Sequence, residues 1–138
     1  MPLLLQRWRY VIILIREYAV GTESYELGFS KGLIDPGETV DEAANRELKE
    51  EVGYGANKLT FLKKLSMAPS YFSSKMNIMV AEDLYPESLP GDEPEPLPQV
   101  RWPLAQLMSL LDEEDFNEAR NVSALFLVRE WLQAQGRL

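Results

Sequence analysis

The amino-acid sequence predicts an α/β fold of the α+β kind, a mixed β-sheet sandwiched between helices. Three observations carry this. Apolar, β-branched runs interleave with amphipathic helical stretches along the chain. Several strand-like segments follow one another with no helix between them, so part of the pairing is antiparallel. The last long segment carries its apolar residues in one stripe, as a helix packed on a sheet does. At 138 residues, 46% of them apolar, residues 1–138 form a single domain.

The elements follow in order. "RYVIILIREY" (9–18) reads as a buried strand, short, β-branched and bounded by Gly21. "ESYELGF" (23–29) is a weaker, alternating strand. "SKGLIDPGE" (30–38) is a loop whose Asp35-Pro36-Gly37 sets Pro and Gly where a type II turn requires them. Thr39 to Val52 is a helix. Thr39 and Glu42 make a T-x-x-E capping box, and Gly53 stands in the usual stop position. "KLTFLKKLSM" (58–67) and "KMNIMVAEDLY" (75–85) read as paired strands joined by the loop 68–74. "PESLPGDEPEPLPQ" (86–99) is Pro-rich, acidic and aperiodic, and a loop this long within a compact domain is usually functional or disordered. "VRW" (100–102) is a short strand, followed by helices at 103–111 and 115–134. In the second, Ala124, Leu125, Leu127, Val128, Trp131 and Leu132 form the core-facing stripe.

Composition excludes several chemistries. The chain has no cysteine, hence no disulfide and no thiol nucleophile, and no histidine, hence no Ser-His-Asp triad or histidine-bound zinc. A general base must be a carboxylate, Lys, Tyr or a metal-bound water. Twenty-two acids against 14 bases, a net charge of −8, argue against long nucleic acid as a partner. A small phosphate ligand remains open if a cation bridges the like charges. No apolar run approaches the ~20 residues a bilayer requires, and "MPLLLQRWRY" lacks a signal peptide's layout. A cytoplasmic location is expected.

The acids at 47, 50 and 51 are the unusual feature. Glu47, Glu50 and Glu51 share one helical face, while Ala44, Leu48 and Val52 turn toward the sheet. Repulsion between solvated carboxylates at this spacing costs only about 0.2–0.5 kcal/mol per pair, so a plain solvated face would tolerate it. Three carboxylates on one face also suit a hard divalent cation.

The whole segment Gly32–Tyr54 resembles the box of the Nudix hydrolase family. The box specifies Gly, five residues, Glu, seven residues, then Arg-Glu-aliphatic-x-Glu-Glu-x-Gly-apolar. Here those places hold Gly32, Glu38, Arg46, Glu47, Leu48, Glu50, Glu51, Gly53 and Tyr54. The resemblance implies the Nudix fold and hydrolysis of a nucleoside diphosphate linked to another moiety. Glu47, Glu50 and Glu51 would be ligands of Mg²⁺, with Mn²⁺ an alternative. Arg46 would pair with Glu50 or Glu38 and hold a carboxylate in its working orientation.

The flanks "LIREYAVGTESYELGFSKGLIDPGE" and "FLKKLSMAPSYFSSKMNIMVAEDLYPESL", with Pro69 after the box, are similar to the ADP-sugar and ADP-ribose branch. Within it they resemble the bacterial enzymes that hydrolyse ADP compounds. That implies a small ADP-containing substrate, namely ADP-ribose, a diadenosine polyphosphate or NADH, with no nucleic acid or membrane partner, and a homodimer. The resemblance further implies a base or metal contact from Glu93 or Glu95 on the acidic loop, and substrate contacts from Arg16, Glu38, Ser70 and Tyr71. Relatives in this branch carry a further N-terminal segment that reaches the partner subunit and the adenine pocket. This chain is expected to lack it. Two other readings stay open: a non-catalytic module binding ADP-ribose or NAD, and a Nudix hydrolase of another nucleoside diphosphate derivative.

Overall fold

The computed structural model describes residues 2–6, 11–91 and 97–138, the first of these as backbone only. Six strands form one sheet: β1 (Pro2–Gln6), β2 (Val11–Ala19), β3 (Ser24–Gly28), β4 (Tyr54–Ser66), β5 (Lys75–Pro86) and β6 (Gln99–Pro103). Two α-helices, α1 (Val40–Glu51) and α2 (Ala119–Ala134), pack against it, with a 3-10 segment at Leu104–Asp112. The strand order is β3-β2-β1-β5-β4, and β6 also pairs with β2. Among the described residues, only β1 and β5 run parallel, with Leu4 opposite Ala81; the remaining pairs are antiparallel. The sheet is mixed, as expected.

Alternation along β2 explains why both faces are covered. Ile12 and Leu14 enter the larger core, beneath α2 and the 3-10 segment. Ile13 and Ile15 point the other way and meet Leu48 and Val52 of α1. All four are at most 2% exposed, so β2 is a central strand buried on both sides and reads as a continuous apolar run rather than an alternating one. Full burial of a residue such as Leu48 stabilises by about 1.5–3 kcal/mol.

Four boundaries differ from the sequence reading. The strand β1 has no counterpart in it. Its partners are Ile12 and the distant Ala81, and a strand defined by a nonlocal parallel pairing leaves little local signal. β4 begins at Tyr54, immediately after α1, because Gly53 at φ +79° reverses the chain within one residue. The predicted helix at 103–111 is a 3-10 segment with non-helical dihedrals at Gln106. Pro103 precedes it and no side chain caps it, so nothing propagates a regular α-helix. The last helix starts at Ala119 rather than 115, where the Glu118 side chain accepts from Asn121 N–H.

Buried Asn121 joins the two layers. Its Oδ1 accepts the Phe29 N–H at 3.1 Å, and its side chain rests on Gly28, where a Cβ would lie 2.4 Å from Nδ2. The strand end that leads into the 30–38 loop is thereby fixed to α2.

Candidate active site

The loop and helix that carry the acidic cluster are held at many points. Gly37 takes φ +86° and Glu38 N–H donates to Asp35 C=O at 3.1 Å, which is the expected type II turn. Thr39 and Glu42 form the reciprocal capping box. Asn45 Oδ1 accepts from Ala56 N–H at 2.8 Å, tying α1 to β4. At the other end, Gln99 Nε2 donates to Val52 C=O at 2.7 Å.

Arg46 is the hub. Its Nε and Nη2 donate to the two oxygens of Glu38 at 2.7 and 3.0 Å, a bidentate pair. Nη1 donates to Glu47 at 2.9 Å and to Glu50 at 3.2 Å, and Nη2 also reaches Leu33 C=O at 2.8 Å. The bond from Arg46, then the Asp35 N–H, hold the Glu38 carboxyl below its ordinary range. The same Glu38 contact, with help from Glu47, raises the guanidinium further. Both alternatives for Arg46, Glu38 or Glu50, are realised at once.

Glu51 is held from another direction. Its Oε2 accepts from Ser30 Oγ–H and, at 3.2 Å, from Lys31 N–H. Gly32 comes next, and a Cβ there would lie 1.9 Å from Glu47 Cδ. Only a residue without a side chain lets the loop pass this close to the helix. The donors are all carboxylate oxygens, the chemistry a hard divalent cation takes, and one guanidinium nitrogen already spans Glu47 and Glu50. Among the described residues no three acids stand together as a finished cage. Arg46 takes one oxygen of each, Oε1 of Glu47 and Oε2 of Glu50, and each carboxylate has a second oxygen with which to meet a cation.

A cleft of about 560 Å³ adjoins Glu47. Gly32, Ala43, Ala44, Met67, Met76 and Met79 are among the residues that line it. Met76 packs against the larger core and Met79 is 1% exposed, yet both also line the cleft. Lys31 and Arg120 border it too. Burial first, and the nearby Arg120 second, lower the Lys31 ammonium from its usual value. Nothing in the sequence pattern singles out Ser30, Lys31 or Arg120; only the chain's return past Glu47 gives them meaning.

The remaining predicted contacts divide. Arg16 lies within β2, and its Nη1 is paired with Asp115, so a phosphate would have to compete with that carboxylate. Glu38 serves Arg46. Ser70 and Tyr71 lie in the β4–β5 loop, where Tyr71 N–H donates to Ala68 C=O and Tyr71 is 87% exposed. Neither lines the cleft. Glu93 and Glu95 fall outside the described residues.

Comparison with known proteins bears on the same elements. The NUDIX domain family matches residues 3–126. The chain is 87% identical over 127 residues to ADP compounds hydrolase NudE of Escherichia coli (strain K12), covering 92% of this chain and 68% of that protein. It is 27% identical over 128 residues to the ADP-ribose pyrophosphatase of Bacillus subtilis (strain 168), covering 90% of this chain and 69% of the relative. A crystal structure of an ADP compounds hydrolase superposes with a TM-score of 0.95 at 80% identity, covering 99% of this chain and 74% of that one. Box, fold and relatives agree, and the chain belongs to the Nudix hydrolase family.

Proposed function

We propose that this protein hydrolyses the pyrophosphate bond of ADP-linked compounds such as ADP-ribose, NADH and diadenosine polyphosphates, releasing AMP. The observation that carries the reading is the Arg46 hub, which gathers Glu38, Glu47 and Glu50 of a completely filled Nudix box beside a cleft of nucleotide size. The names of the E. coli and B. subtilis relatives support the substrate class.

Glu47, Glu50 and Glu51 would hold Mg²⁺ or Mn²⁺. Bound there, a divalent ion supplies Lewis acidity toward a phosphoryl oxygen and lowers the pKa of a water. The chain's own groups do the rest. Arg46 keeps the Glu47 and Glu50 carboxylates aligned. The loop at Ser30–Gly32 fixes Glu51 and excludes bulk from beside Glu47. Water adds to one phosphorus, the bond from that phosphorus to the bridging oxygen breaks, and a carboxylate takes the water's proton. Glu93 or Glu95 of the acidic loop is our candidate for that base. Glu93→Gln or Glu95→Gln should lower kcat by about tenfold or more with little change in KM. Full turnover in both variants removes the loop from the chemistry.

The absence of cysteine and the net charge of −8 suit a cytoplasmic enzyme, and among the described residues no helix is long and apolar enough to cross a membrane. A homodimer is proposed on the family resemblance. The test of function is direct: purified protein, Mg²⁺, and ADP-ribose, NADH, diadenosine triphosphate, a deoxynucleoside triphosphate and capped RNA, each scored for AMP. AMP from the first three is expected. Tight ADP-ribose binding without any product would overturn the reading in favour of a binding module.

A further inference from the structure

We infer that Lys31 is a substrate-binding residue whose ammonium, with Arg120 beside it, receives a phosphate oxygen of the substrate's diphosphate in the cleft that Glu47 also lines. The inference rests on the pyrophosphatase reading and adds a residue to it.

Two lysines find carboxylates, Lys49 with Glu87 at 3.1 Å and Lys58 with Glu82 at 3.9 Å. Lys31 does not. Among the described residues its Nζ makes one hydrogen bond, to Phe29 C=O at 3.3 Å, and no ion pair. Nor is it a freely solvated surface lysine. It borders both the 560 Å³ cleft and a second cavity of about 210 Å³, and Glu17 and Arg120 border the same two. Arg120 has its Nε taken by Glu118. Two cations thus stand at the junction of two cavities, with only one of them neutralised by an ion pair. A partly buried ammonium with a single carbonyl partner is an incomplete arrangement, because its other two protons lack acceptors among the described residues.

The shape of the cleft limits what completes it. The methionines in its lining, Met67, Met76 and Met79, are apolar and polarizable, suited to a flat base. Glu17 and Glu47 on the border would repel a simple anion. A ligand suited to this lining therefore carries an anionic group for Lys31 and an apolar one for the methionines, beside a carboxylate where a metal would share its charge. A nucleoside diphosphate meets these conditions. The backbone of Lys31 is already engaged by Glu51, so the side chain can be changed without touching that bond.

Lys31→Met keeps the apolar stem and removes the charge. With Mg²⁺ and ADP-ribose, its KM should rise about tenfold while kcat stays within about twofold, the lower end of what a charged hydrogen bond contributes. Lys31→Arg should recover most of the loss, and both should melt near the wild type. An unchanged KM in Lys31→Met overturns the inference. So does a Lys31→Arg variant that melts normally yet binds as poorly as Lys31→Met. If Lys31→Met fails to fold, Lys31→Gln is read against Lys31→Arg by the same criteria. If the wild type releases AMP from none of the ADP compounds, the pyrophosphatase reading fails on its own. Calorimetric titration with ADP then decides Lys31: weaker binding by Lys31→Met upholds its role, equal binding ends it.

Discussion

Glu51→Gln should lower kcat for ADP-ribose by about three orders of magnitude while leaving the fold in place. A carboxylate that holds a catalytic divalent ion takes part in several kcal/mol of transition-state charge stabilisation, and at about 1.4 kcal/mol per decade that is roughly a thousandfold. The amide keeps the size of the side chain. Its oxygen can still accept from Ser30 Oγ–H and Lys31 N–H, the two bonds that the Glu51 carboxylate accepts from the loop. What is lost is the negative charge and the second oxygen, which becomes a donor and cannot ligate a cation. The melting temperature should therefore move by no more than a few degrees, and the Mg²⁺ concentration for half-maximal rate should rise. Steady-state kinetics over a Mg²⁺ series, with a melt of the same sample, checks both. Wild-type turnover in this variant would remove Glu51 from the metal set and with it the proposed chemistry.

What can be read from the sequence, and what cannot, divides along contact range. The type II turn at Asp35–Glu38, the capping box at Thr39 and the stop at Gly53 are local devices, written in adjacent residues, and all three stand as expected. The same holds for the grouping of Arg46 with Glu38, Glu47 and Glu50, since helix spacing and one short loop bring them together. The strand β1 is hidden from local pattern because its pairing with β5 spans most of the chain. The pairing of Arg16 is hidden for a related reason. Its partner Asp115 is 99 residues away. The Ser30–Glu51 bond likewise depends on where the loop meets α1, and the Lys31–Arg120 neighbourhood on where it meets α2. Local physics locates the cluster; the sheet's topology decides which residues face it.

Gly32 is where the two ranges meet, and Gly32→Ala should cost about a hundredfold in kcat with little loss of stability. Its backbone is not in the left-handed region, so alanine meets no dihedral penalty there. The difficulty is the new methyl, which would lie 1.9 Å from Glu47 Cδ and 2.3 Å from its Oε2. The atoms in the way are the end of a flexible side chain, and a rotamer change of Glu47 is cheaper than moving the loop and helix. Fold stability then survives, but the carboxylate leaves its place and the 2.9 Å bond to Arg46 breaks. Displacement of a reacting group by about 1 Å can cost about 10²-fold, which sets the expected size. Gly37→Ala is the matched control. Gly37 has φ +86° and no atom within 4 Å of where a methyl would stand. Alanine there strains the turn by about 1–2 kcal/mol without crowding any carboxylate. Stability should fall in Gly37→Ala with kcat nearly kept, and kcat should fall in Gly32→Ala with stability nearly kept. Melting curves and initial rates on the two proteins separate these outcomes. A Gly32→Ala enzyme as active as the wild type would mean that Glu47 does not act from the position this loop secures for it.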